Sequence, residues 1–143
     1  MYEYNLGLRF ENIIGEYIDS PALKFGVQKQ DWVRYGELNS KANQIARYLI
    51  NEGVGNNDVV CISGIKKIYT FACMLACLKI GAVYTIFDPD SPVERLRKII
   101  NKCIPKILFL NCQLAEALKN VMMKLVVLLY LMNLILLHLK SKD

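Results

Sequence analysis

The residues of this chain with the widest chemical reach are five cysteines (Cys61, Cys73, Cys77, Cys103, Cys112), one histidine (His138), and the charged residues of a short corner, Asp88, Asp90, Glu94 and Arg95. A cluster of thiolates with histidine would serve a metal ion. The surroundings argue against it. Cys73 and Cys77 stand four apart, so a helix places them on one face, but their neighbours are Phe71, Ala72, Met74, Leu75 and Ala76, and His138 is remote. They read as compact apolar core residues. The odd count, the lack of a CxxC pair and the lack of a signal peptide point to a reduced, cytoplasmic protein. His138 has no evident acid partner and reads as incidental.

Asp88 and Asp90 flank Pro89 at the expected carboxyl end of a strand, a place where open α/β sheets hold ligands. The stronger reading of Asp88-Pro89-Asp90-Ser91-Pro92 is structural, a corner that ends one strand and opens the next helix. Glu94 then serves as a capping residue, Arg95 as half of a surface ion pair, and Lys66-Lys67 as a solvated helix start. No GxGxxG or GxxxxGK[ST] loop, GxSxG elbow or HExxH pair occurs. No catalytic, cofactor-binding or metal-binding residue is therefore assigned on this chain.

The elements around that corner are clear. Leu78 to Leu96 reads as a helix end, a turn at Gly81, a buried strand over Val83–Phe87 and a new helix from Pro92. Ser91 and Glu94 have capping-box spacing, and Pro92 suits the first helical position, where its missing N–H costs nothing. Upstream, Asp58–Ser63 is a strand rich in β-branched residues, and residues 67–80 form a helix apolar almost all round, hence buried between layers. Strand, helix and strand in this order imply a parallel pair joined by a right-handed crossover. Downstream, the helix running to Cys103 stops at Pro105, Lys106–Leu110 is a further buried strand, and Gln113 to about Lys119 is a short helix.

Towards the amino end, residues 6–18 carry apolar side chains at helical spacing. Ala22–Val27 and Trp32–Tyr35 read as the two strands of a hairpin about the polar turn Gln28–Asp31. Leu38, Ala42, Ile45, Ala46 and Leu49 make one stripe of a helix that is expected to cover a sheet, with Asn39, Lys41, Asn43 and Arg47 opposite and Gly53 as its stop. The fold class is α/β, a mainly parallel sheet with flanking helices, preceded by a short β-hairpin.

With 54% hydrophobic and 22% charged residues the chain excludes disorder, and its 143 residues suffice for one domain with a real core. The net charge of +5 comes from scattered lysines and arginines without interleaved stacking aromatics, so no nucleic-acid partner is expected. Past Asn120 the composition changes. Val121–Leu139 is almost continuously apolar, broken by Lys124, Asn133 and His138. A strand at Leu125–Tyr130 followed by a tail ranks first, a tail from a shifted or truncated reading frame second. A membrane span ranks third, because Lys124 and Asn133 interrupt it and lysines flank both ends.

Residues 78–95, LKIGAVYTIFDPDSPVER, closely resemble a core motif of adenylate-forming (AMP-binding) enzymes. WVRYGELN at Trp32–Asn39, the following SKANQIARYLINEGVGNNDVV, and the opening Phe10 and DSPALKF extend the similarity over about residues 8–119. The DPxxPxER wording is more typical of nonribosomal peptide synthetase adenylation domains than of acyl-CoA synthetases. The resemblance implies the N-terminal portion of such an enzyme's large domain over residues 1–119, with the likeness lost over 120–143. It implies a ligase that uses ATP and Mg²⁺ to turn an amino acid into an aminoacyl-adenylate. The acyl group then passes to the phosphopantetheine thiol of a carrier protein. The implied partners are the remainder of the adenylation domain and the carrier and condensation domains. The family's phosphate loop, nucleotide contacts, substrate pocket and C-terminal lysine have no counterpart in this chain, so the isolated chain is expected to be inactive. The alternatives are a non-catalytic remnant or interaction module, and a piece of an acyl-CoA synthetase.

Overall fold

A computed structural model describes residues 5–110, Leu118 and the backbone of Val127–Leu128. The helices are α1 (Leu6–Tyr17), α2 (Tyr35–Asn51), α3 (Ile68–Ile80) and α4 (Val93–Cys103). The strands are β1 (Pro21–Lys24), β2 (Trp32–Arg34), β3 (Val59–Ser63), β4 (Val83–Phe87), β5 (Ile107–Phe109) and β6 (Val127–Leu128). β1 and β2 form the expected antiparallel pair. The other four strands are parallel and lie in the order β4-β3-β5-β6.

That order makes the sheet doubly wound. The chain steps from β3 outward to β4, then returns across β3 to reach β5, so with right-handed crossovers α3 and α4 fall on opposite faces. Alternation along the strands divides the core accordingly. Val60, Ile62, Ile107 and Phe109 pack with Ala72, Cys73, Ala76 and Cys77 of α3 and with the buried stripe of α2. Cys61 and Leu108 turn the other way, towards Leu96 and Ile100 of α4, Phe87 and Leu118.

Several boundaries differ from the sequence reading. The first strand stops at Lys24, short of Val27, which is 97% exposed; the turn before β2 tightens into a single 3₁₀ turn at Lys29–Asp31. Tyr35, expected in the second strand, opens α2. α2 lies against α3 and the β1–β2 pair, and its buried stripe shares one core with Val60, Ile62, Ile107 and Phe109 of the parallel sheet. The expected capping box also does not form. Pro92, with ψ near 139°, is the N-cap of α4 and offers no side-chain hydrogen bond. The corner is closed one step earlier, where Asp88 Oδ1 accepts from Asp90 N–H at 3.0 Å and the Asp88 carbonyl accepts from Ser91 N–H at 3.1 Å. Glu94 is thereby free to pair with Arg97 at 3.1 Å.

Other stops are as read. Gly53 at φ 78° ends α2, with Gly53 N–H donating to Ile50 O and Val54 N–H to Leu49 O, the paired bonds of a Schellman motif. Gly81 at φ 74° ends α3. β6 falls within the strand expected at Leu125–Tyr130 and extends the sheet beyond β5. The rest of the expected helix near Gln113, most of the 121–139 stretch, Cys112 and His138 lie outside the described residues. Among the described residues no helix is long and apolar enough to cross a membrane.

Candidate functional site

β3 leads through α3 to β4 on one side, while β5 lies on its other side with β6 beyond, so the carboxyl ends of β3 and β5 flank a switch point of the sheet. A cavity of about 70 Å³ sits there, lined by Ile62 and Ser63 of β3, Thr70 and Cys73 of α3, and Phe109 and Leu110 at the end of β5. Lys67, the N-cap of α3, also lines it. This is the candidate site.

Each part has a local cause. β3 ends because Gly64 N–H donates to the Phe87 carbonyl, drawing the chain against β4 at a point where a Cβ would stand 3.0 Å from that oxygen. Thr70 Oγ1 donates back to the Ile65 carbonyl at 2.5 Å, which pins the turn before α3. Lys67 makes no side-chain capping bond, so the first amides of α3 lack a side-chain acceptor. Ser63 is 6% exposed, and its Oγ is buried without a hydrogen-bond partner.

The residues singled out in the sequence lie elsewhere. Asp88 and Asp90 are exposed, at the end of β4, an edge strand of the described sheet rather than the switch point. Arg95 is exposed as well, and the ion pair of its helix joins Glu94 to Arg97 instead. Lys66 and Lys67 are exposed as expected, but Lys67 borders the cavity. Cys61, Cys73 and Cys77 are buried. Burial pushes the Cys61 and Cys77 thiols up to about 12, for Cys61 with Cys103 nearby adding to the effect, and burial raises Cys73 further. Thiols that resist ionisation are poor nucleophiles and poor metal ligands. Among the described residues no group of three or more His, Cys, Asp or Glu could hold a metal ion.

Sequence reasoning missed Ser63 and Lys67 as neighbours, because the switch point exists only once the strand order is known. It also missed a polar node on the other side of α3. There the Lys79 ammonium donates to Asn39 Oδ1 at 2.7 Å and Asn43 Oδ1 at 2.8 Å, and pairs with Glu11. Asn39 and Asn43, expected on a solvated face of α2, are its acceptors.

The sequence and the fold both have relatives among known proteins. The model of the AMP-binding enzyme family matches residues 10–137. The chain is 35% identical over 94 residues to nonribosomal peptide synthetase 2 of Cochliobolus heterostrophus, covering 66% of this chain and 2% of that protein. It is 33% identical over 90 residues to the dimodular nonribosomal peptide synthase of Bacillus subtilis, covering 63% of this chain and 4% of that one. The chain thus spans only 2% and 4% of the lengths of these two relatives. In fold it is similar to VinN, solved in complex with 3-methylaspartate, with a TM-score of 0.83 over 98% of this chain and 38% of VinN, at 17% identity.

Proposed function

Since the chain belongs to the AMP-binding enzyme family, we propose that it is the N-terminal framework of an amino-acid-activating adenylation domain of the nonribosomal peptide synthetase type. In the full domain, ATP and an amino-acid carboxylate would give an aminoacyl-adenylate and pyrophosphate, and the acyl group would then pass to a carrier-protein phosphopantetheine thiol. The observation that carries this reading is the identity with synthetases of that type, 35% and 33% with the two named above.

Among the described residues no group of three or more His, Cys, Asp or Glu is placed to hold the magnesium ion of this chemistry. ATP and Mg²⁺ are therefore assigned to the remainder of the domain. In this proposal residues 1–119 supply the framework, and the family match continues past them to residue 137. What this chain contributes is rigidity. The Asp88–Ser91 corner, Gly81 and the buried face of α3 hold β3 and β4 in register for the rest of the enzyme to build upon.

The test is ATP–pyrophosphate exchange. The isolated chain is expected to give none with any amino acid, and exchange is expected once the missing remainder of the domain is supplied. Exchange by the chain alone would overturn the reading. A second reading, a non-catalytic interaction module, is favoured by one feature. Among the described residues β4 is an edge strand of the sheet, with Val83 48% and Ile86 44% exposed. A stable stoichiometric partner other than the missing part of the ligase would favour that module.

A further inference from the structure

The outer face of α4 carries charges that the stability of the helix does not call for. We propose that it is a docking surface for an acidic helix of a partner protein, whose carboxylates lie against Arg95, Lys98 and Lys102.

Three observations converge on this. Arg95, Lys98 and Lys102 are exposed, and at 3.6 residues per turn they fall within about 60° of one another, away from the buried Leu96 and Ile100. None of the three forms an ion pair among the described residues, and Glu94, the one acid of the helix, is held by Arg97. This placing also works against the helix. Arg95 stands in the first turn, at the positive end of the helix dipole, and Lys98 and Lys102 form a like-charge pair one turn apart. Ile104, just past the helix, is 77% exposed at φ 45°, a conformation that β-branched residues resist and that no burial offsets. It offers an apolar contact at the end of the stripe.

Spacing and surroundings narrow the partner. The stripe runs along about 10 Å of helix, so a second helix with carboxylates at i, i+4 and i+7 meets all three cations. α4 has no aromatic side chain on which a base could stack, which argues against a nucleic acid. Leu96 and Ile100, its apolar side, are turned into the core, which leaves no face to enter a lipid bilayer. Asp88 and Asp90 lie just before α4 and form no ion pair with the stripe among the described residues. No residue of α4 lines the switch-point cavity, so the two surfaces are separate.

The whole chain, labelled with ¹⁵N, is titrated with a synthetic helical peptide of about 20 residues carrying glutamates at i, i+4 and i+7 on one face. The same peptide with glutamines, a single-stranded oligonucleotide, and phosphatidylserine–phosphatidylcholine vesicles are titrated in parallel. Saturable shifts of the Arg95, Lys98, Lys102 and Ile104 amides are expected with the glutamate peptide, weakening as salt rises. Lys98→Glu should weaken this binding about tenfold and yet raise the melting temperature, because it sets an acid one turn before Lys102. Ile104→Asn should weaken binding too, and Lys66→Gln, on another surface, should leave it unchanged. Arg95→Gln removes a cation from the amino-terminal turn and keeps the test open should Lys98→Glu fail to fold; it should bind more weakly without loss of stability. Absence of saturation by the glutamate peptide, or equal saturation by the glutamine peptide, overturns the proposal. So does tighter saturation of α4 by the oligonucleotide or the vesicles, or binding as in the parent by both charge variants.

Discussion

Lys79 of α3 donates to Asn43 of α2 across the interface between the two helices, with Nζ 2.8 Å from Oδ1. The lysine side chain is 9% exposed and is shared with Asn39 and Glu11, so one ammonium ties α1, α2 and α3 together. Hydrogen bonds to a desolvated charge contribute about 1.5–3 kcal/mol, and losing one partner strands the other. Lys79→Met should cost about 2 kcal/mol. A double-mutant cycle with Asn43→Ala, followed by urea unfolding, should give a coupling of about 1 kcal/mol. Strict additivity would show that the pair is decorative.

Of the residues of α1, Gly7 alone is buried, and the reason lies in α3. A Cβ at Gly7 would stand 2.8 Å from the Leu78 carbonyl carbon and 2.9 Å from Lys79 N. Those are backbone atoms in the last turn of a packed helix and have little freedom to yield. Gly7→Ala should therefore destabilise the chain by about 1–3 kcal/mol despite alanine's better helix propensity. Gly15→Ala, whose Cβ would meet nothing within 4 Å, is the matched control and should be neutral or stabilising. Thermal melts of the two variants side by side check this, and equal melting temperatures would refute it.

The Asp58 carboxylate accepts from Gly55 N–H at 2.7 Å and from Lys106 Nζ at 2.9 Å, linking the start of β3 to the start of β5. The Gly55 hydrogen bond, and then Lys106, hold its carboxyl below the usual carboxylate range. A pKa lowered by folding adds stability above the unfolded value of about 3.9, and that stability is lost as pH falls through the folded value. Asp58→Asn should thus be less stable than the parent at about pH 7, with the gap closing as pH drops below about 4. Urea midpoints measured at both ends of this range decide the matter; a gap independent of pH would assign the effect to packing.

Ile104 ends α4 at φ 45° and ψ 57°, a left-handed conformation that β-branched side chains resist. Its side chain is 77% exposed, so little packing offsets the strain. Ile104→Asn, a residue that tolerates this region, should stabilise the chain by about 1 kcal/mol. A lower midpoint in denaturant would mean that Ile104 makes contacts worth more than its strain.

Much of the architecture was legible in the chain itself. Gly53, Gly81 and Pro105 stop helices through backbone sterics that need no partner. The apolar runs at Val59–Ser63 and Ile107–Phe109 lie in buried strands because a parallel sheet demands such residues; Val83–Phe87 also reads as buried and is a strand, but at the edge of the described sheet Val83 and Ile86 are exposed and only Phe87 is buried. Motif wording pointed to the adenylate-forming family for the same reason, since helix, strand and corner are recorded in adjacent residues. The cap of α4 was misread because Ser91 and Glu94 met a local rule that the Asp88 turn pre-empted. What only the tertiary structure decided is adjacency between residues distant in sequence. Periodicity shows that Asn39 and Asn43 share a helix face, but Lys79 makes that face an interface. Composition marks Ser63 as the polar end of an apolar strand, while the placing of β5 next to β3 brings that strand end to a switch point whose cavity Lys67 also lines. Strand order arises from how whole layers bury their faces, a global balance that no short segment encodes.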